Sequence, residues 1–101
     1  MNKRQRKKWL KQHKAYVDPK ETWSLDVTLA QYIYPRLLAF KKLSNGHPTC
    51  LTIDEWNGVL DKMIFAFKEL AEDRLIIEVQ MLDRIKEGLD LFVEYYRALW
   101  W

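Results

Sequence analysis

Cysteine, histidine and glycine are all scarce in this chain of 101 residues. The single cysteine, Cys50, can form no internal disulfide, and with only His13 and His47 beside it there is no credible zinc constellation, so no metal or other cofactor is expected. A reducing, intracellular compartment fits this usage best. Long apolar runs are missing as well, and no apolar core of signal-peptide length follows the basic N-terminus, so neither secretion nor a membrane span is expected. The few glycines form no phosphate-cradling loop, and neither a Ser-His-Asp order nor a Cys-His nucleophile pattern occurs. Carboxylates stand at Asp26, Asp54, Glu55, Asp61, Asp83 and Asp90, but helix caps and solvated faces account for each of them. A chain this short has room for one modest core, not for a core plus a deep catalytic cleft, so an enzyme is not expected.

What is present is apolar content and a division of charge. Hydrophobic residues make up 49% of the chain and aromatics 14%, enough to fold a domain. Within the formal net charge of +3, residues 1–14 carry +7 with no acid, and the rest of the chain carries −4. This divides the sequence into a basic N-terminal arm, residues 1–17, and a single domain, residues 18–101. An arm of one sign on a body of the other steers toward phosphate, toward an acidic partner or back onto its own body. Such like-charge blocks are usually solvated, although Trp9 and Leu10 inside this one favour a short helix with an anchoring face.

Helical periodicity runs through the body, which is read as all-α. The stretch ETWSLDVTLAQYIYPRLLAFKKLSNG has two possible starts. One is Asp18, with proline at the first helical position and glutamate at the third; the other is Ser24, with Asp26 in the first turn. Leu25, Leu29, Ile33, Leu37 and Phe40 share a face, and Pro35 among them predicts a kink, because it cannot bond the carbonyl of Gln31 and clashes with the preceding turn. The bend is either purely structural or the edge of a ligand groove that places Arg36 near Trp23. A stop is expected near Ser44-Asn45-Gly46, where Gly46 can take the left-handed conformation. The second segment opens on Leu51-Thr52-Ile53-Asp54-Glu55-Trp56, in which Thr52 and Glu55 form a capping box and Leu51 can staple onto Trp56. Trp56, Leu60, Met63, Phe67 and Leu70 then mark a core stripe.

The third segment places Leu75, Leu82, Ile85, Leu89, Phe92, Tyr96 and Leu99 on one face of a long C-terminal helix. No Gly, Pro, Asn or Ser marks a turn between residues 59 and 87, so one continuous helix from Ile53 to Leu99 competes with a hairpin turning at Ala71-Glu72-Asp73-Arg74. A turn there would set Gly58 opposite Gly88, each 15 residues from Asp73, and let the two backbones approach. That coincidence favours a kinked first helix packed on an antiparallel helical hairpin. Apolar residues surround the start of the last helix, so a homo-oligomer is expected, most simply a dimer, with Ile76, Ile77 and Met81 at its interface. A strand over residues 75–79 is the alternative there. At the C-terminus, Tyr96 and Trp100 are assigned to the core, with Tyr95 and Trp101 open.

Trp-Ser-Leu-Asp at 23 to 26, with Thr28, Ala30 and Pro35-Arg36-Leu37, resembles the opening motif of small uncharacterised proteins encoded by tailed bacteriophages. The pattern continues through Trp56, Leu60-Asp61, Met63-Ile64, Ala66-Phe67, Gly88-Leu89, Leu91-Phe92, Tyr95-Tyr96 and Leu99-Trp100, covering residues 23–100. The resemblance implies the cytoplasm of an infected bacterial host as the setting and carries no activity. Many similar proteins are longer between the second and third segments, which implies a turn near residue 73. The basic arm lies outside the resemblance.

Three non-catalytic roles follow. The first is an accessory protein that binds a host or phage protein, with counter-defence as one purpose, through an aromatic-rich helical surface in which Trp23, Asp26, Arg36 and Lys41 make the contacts. The second is a nucleic-acid binder using Lys3, Arg4, Arg6, Lys7, Lys8 and Lys11 of the arm. The third is an oligomeric sponge for a small nucleotide, in which Trp23 stacks on the base while Arg36 or Lys41 meets a phosphate.

Overall fold

The computed structural model describes residues 2–13, 15–43, 46–72 and 77–100. Among them the chain is all-helical: α1 (Lys3–Gln12), a 3-10 turn (Pro19–Thr22), α2 (Leu25–Leu43), α3 (Ile53–Ala71), α4 (Val79–Glu94) and a closing 3-10 turn (Tyr96–Ala98). No described helix is long and apolar enough to cross a membrane.

Both predicted starts of the first body segment are used. Asp18 accepts the Lys20 N–H at 2.9 Å and opens the 3-10 turn with Pro19 behind it. Ser24 then takes a φ of 47°, in the left-handed region that few residues other than glycine enter, and redirects the chain before α2. Its carbonyl accepts the Thr28 N–H at 3.1 Å, which begins the α-helical ladder. The helix runs through Pro35 without ending and stops at Leu43; of the expected stop, Ser44 and Asn45 lie outside the described residues, and Gly46 does not take the left-handed conformation expected of it.

The capping box of α3 forms as its sequence requires. The Thr52 hydroxyl accepts the Glu55 N–H at 3.2 Å, and the Glu55 carboxylate accepts the Thr52 N–H at 2.9 Å. Leu51 packs against the core that contains Trp56. From that start α3 buries Trp56, Leu60, Met63, Ala66 and Phe67, with Leu70 half-buried. Full burial of a large apolar side chain contributes roughly 1.5–3 kcal/mol, so this one helix supplies most of the core.

Helix α3 lies between α2 and α4, whose backbones do not meet each other. Two contacts fix the α2–α3 register: Gln31 donates to the Ala71 carbonyl at 3.3 Å, and Lys41 meets Asp61 at 2.5 Å. Residues rising along one helix thus pair with residues falling along the other, so the two are antiparallel. Between α3 and α4, Lys62 meets Glu87 at 2.5 Å and Trp56 meets Tyr95 edge to face at 5.7 Å. This is the expected hairpin, and a single helix from Ile53 to Leu99 is excluded. Both interhelical ion pairs are well exposed and contribute at most about 1 kcal/mol each, so they mark the register and do not hold the fold.

Four details depart from expectation. Gly58 is exposed with open space around it, and Gly88 instead faces Lys62 and Ala66 of α3. This shifts the hairpin register C-terminally; of the proposed turn, Ala71 ends α3 and Glu72 follows it, while Asp73 and Arg74 lie outside the described residues. The last helix begins only at Val79, so Ile77 precedes it, and neither Ile77 nor Glu78 lies in a strand. Helix α4 also ends at Glu94, short of Leu99, and the chain tightens into the 3-10 turn. That change of pitch buries part of Tyr95 and leaves Tyr96 and Trp100 62% and 75% exposed, against their assignment to the core. On α2, Ala30 and Leu37 are buried while Leu25 and Leu29 are not.

Candidate nucleic-acid interface

The arm is a helix. Asn2 caps it, accepting the Gln5 N–H at 2.8 Å, and the Gln5 side chain accepts the Asn2 N–H at 3.1 Å. The sequence within it, KRQRKKWLKQ, holds only straight-chain, leucine and tryptophan residues, which tolerate the helical backbone well. Against this stand Lys3, Arg4, Arg6, Lys7, Lys8 and Lys11 with no acid among them, and the first of these oppose the positive end of the helix dipole. A ten-residue helix of this kind is marginal by itself. No other helix comes against α1, and none of its residues is buried. The protein is accordingly drawn out, with a radius of gyration of 17.1 Å where a packed domain of this length has about 13 Å.

Two small clusters give the arm its shape. On one side the Trp9 and His13 rings stack at 4.0 Å, and the His13 ring meets the Trp9 carbonyl through Nδ1 at 2.8 Å. On the other, the Ala15 N–H donates to the Leu10 carbonyl at 2.8 Å and turns the chain back, so that Tyr16 lies beneath the ammonium groups of Lys7 and Lys11. These ammoniums stand 5.0 and 5.2 Å from the ring centroid. Lys7 and Lys11 are four residues apart and share a face, and they line one open hollow with Arg4, Lys8, Gln5 and Gln12. Sequence reasoning assigned no role to Tyr16, and nothing in its spacing pointed to one, because its contact depends on the chain reversal at Ala15.

The residues expected to bind a partner or nucleotide are not gathered. Trp23 is 83% exposed before α2, and Asp26 is exposed in its first turn. Arg36 and Lys41 lie roughly 16 and 24 Å further along the axis from Leu25, at about 1.5 Å per residue. Lys41 is engaged by Asp61, and Arg36 folds back onto its own helix, donating to the Tyr32 carbonyl at 2.9 Å with its guanidinium 3.6 Å from the Tyr32 ring centroid. The groove near Trp23 that Arg36 was expected to edge therefore does not form. Of the residues assigned to a self-association interface, Ile76 lies outside the described residues, and Ile77 and Met81 are half-buried within their own chain. Unassigned apolar surface appears instead on α2, where Leu25, Leu29, Tyr32 and Leu43 are all exposed on one face.

The carboxylates are largely accounted for by local partners. The Thr52 backbone N–H, and after it the Thr52 side chain, hold the Glu55 carboxyl below the ordinary glutamate range. Asp90 bonds Lys86 at 2.9 Å, and that bond, with the charge behind it, raises the Lys86 pKa. Partial burial raises the Tyr95 phenol, with Glu94 adding to the effect. No cluster of three His, Cys, Asp or Glu side chains able to hold a metal occurs among the described residues. Compared with protein-family models, with curated proteins and with solved structures, the chain matches none.

Proposed function

We propose that the protein binds nucleic acid through α1, in a non-enzymatic role, with the three-helix body as the scaffold that presents it. The observation that carries this reading is a helix of six cations and no acid that packs against no other helix. Buried against the body, such a helix would belong to the fold. Standing apart, its accumulated positive charge is relieved by a polyanion, whose phosphates release counterions as they bind. The resemblance to phage proteins supports the cytoplasm of an infected bacterium as the setting for this role.

Fluorescence anisotropy with a labelled 20-base-pair DNA duplex at 50 and 200 mM salt tests the proposal. Six phosphate contacts give an expected slope of log affinity against log salt near −5, at roughly −0.9 per contact. Removal of residues 1–14 is expected to abolish binding and to leave the melting temperature of the body nearly unchanged. No binding at 50 mM salt, or equal binding by the shortened chain, would reject α1 as the interface.

A second reading rests on the exposed face of α2. Leu25, Leu29 and Tyr32, with Trp23 before them, form the aromatic and aliphatic surface that a helical partner or a host or phage protein engages. Counter-defence and self-association belong to this reading. Replacing Leu29 and Tyr32 together with serine should then abolish partner capture and leave arm binding intact. The oligomeric nucleotide sponge is the less favoured reading, because Lys41 is engaged by Asp61 and Arg36 by the Tyr32 carbonyl and ring.

A further inference from the structure

We infer that Lys7 and Lys11 form a phosphodiester-binding clamp, and that Tyr16 is the positioning residue that assembles it. This rests on the nucleic-acid reading of α1 and adds a specific site to it. Two lysines one helical turn apart repel each other, and on an isolated helix their long side chains would splay into solvent. Here both ammoniums lie over one aromatic ring, at 5.0 and 5.2 Å from its centroid. The ring's negative face attracts each of them and offsets part of their repulsion. The ring itself is brought there by the backbone bond from Ala15 to the Leu10 carbonyl, and Tyr16 is half-buried in that position.

The result is a pair of positive charges gathered on one side of the helix before any ligand arrives, with Arg4 and Lys8 lining the same hollow. Tyr16 leaves each ammonium with protons free to donate, and an oxygen-rich anion is the ligand class that satisfies them. A nucleic-acid phosphodiester fits because it offers two unesterified oxygens, one to each lysine. Ordering the two side chains in advance removes a cost that binding would otherwise carry. Tyr16 thus contributes affinity without contributing charge, and that separates it from the lysines experimentally.

Affinity for the labelled duplex is measured across a salt series for the full chain, Tyr16→Leu, Tyr16→Phe and the double variant Lys7→Gln with Lys11→Gln. Tyr16→Leu is expected to bind about fivefold more weakly with the same salt slope, because every cation remains. Tyr16→Phe keeps the ring and should bind as the parent does. The double lysine variant should bind more weakly with a slope shallower by about 1, the loss of the one phosphate that the two lysines share. Tyr16→Leu binding within twofold of the parent, or Tyr16→Phe as weak as Tyr16→Leu, would overturn the clamp while the arm reading stands. A parent chain that binds no duplex at 50 mM salt would overturn both.

Discussion

Gly88 of α4 lies so close to α3 that a β-carbon built on it would come within 2.5 Å of the Ala66 β-carbon and closer still to the Lys62 carbonyl oxygen. The two helices meet backbone to backbone at this point, and both obstacles belong to rigid parts of α3. Gly88→Ala is therefore expected to force the helices apart and to destabilise the protein by about 1–3 kcal/mol. Gly58→Ala has open space on every side and should stabilise α3 by about 0.5–1 kcal/mol. Urea denaturation of both variants checks the pair. Equal effects would mean that the close approach is not at Gly88.

Trp56 is 2% exposed and meets Tyr95 edge to face, while Tyr96 is mostly solvated and touches Phe92 at 5.5 Å between centroids. Trp56→Ala should cost about 3–5 kcal/mol through the cavity it leaves. Tyr96→Ala should cost much less, roughly 0.5–1 kcal/mol, the scale of one aromatic contact at the surface. Comparable losses on denaturation would place Tyr96 in the core after all.

The α3 cap predicts an acid dependence. Because the folded-state pKa of Glu55 is depressed, its contribution is present above the ordinary glutamate value of about 4.3 and is lost as pH falls through the lowered value. Denaturation midpoints of the parent and Glu55→Ala should differ at pH 7 and converge as the pH falls below the ordinary glutamate range. Thr52→Ala, which removes the other half of the box, should cost about 1 kcal/mol at neutral pH. A parent advantage over Glu55→Ala that stays constant down to strong acid would count against the cap as its source.

Pro35 stands exposed inside α2, and its missing N–H leaves the Gln31 carbonyl without the usual donor four residues on. Pro35→Ala restores that donor. The expected result is a gain of at most about 3 kcal/mol, with nucleic-acid binding through α1 unaltered, since Arg36 is engaged by Tyr32 and does not edge a ligand groove. A less stable variant would show that the fit of α2 on α3 needs the proline.

The starts of α2 and α3 and the charge of the arm were legible in the sequence, because they depend on residues a few positions apart, whereas the start of α4 at Val79 carries no side-chain cap to announce it. Thr52 and Glu55 recognise each other wherever that segment lies, and the α3 stripe is buried because α3 is covered on two sides. The six cations of α1 are likewise a local fact, although only the structure shows that no other helix packs against them. The remaining features were decided by register. Gln31 of α2 is level with Ala71, the last residue of α3, so the first turns of α2 extend beyond the end of α3. Leu25 and Leu29 lie on that overhang and stay exposed despite fitting the apolar periodicity. Gly88 meets Ala66 and not Gly58 for the same reason: helical period says which residues share a face, and only the packed pair says which levels coincide. At the C-terminus, α4 gives way to a 3-10 turn after Glu94, and this change of pitch selects Tyr95 over its neighbour for contact with Trp56. Tyr16 reaches Lys7 and Lys11 only because the chain reverses after α1, a backbone turn that no spacing of side chains encodes.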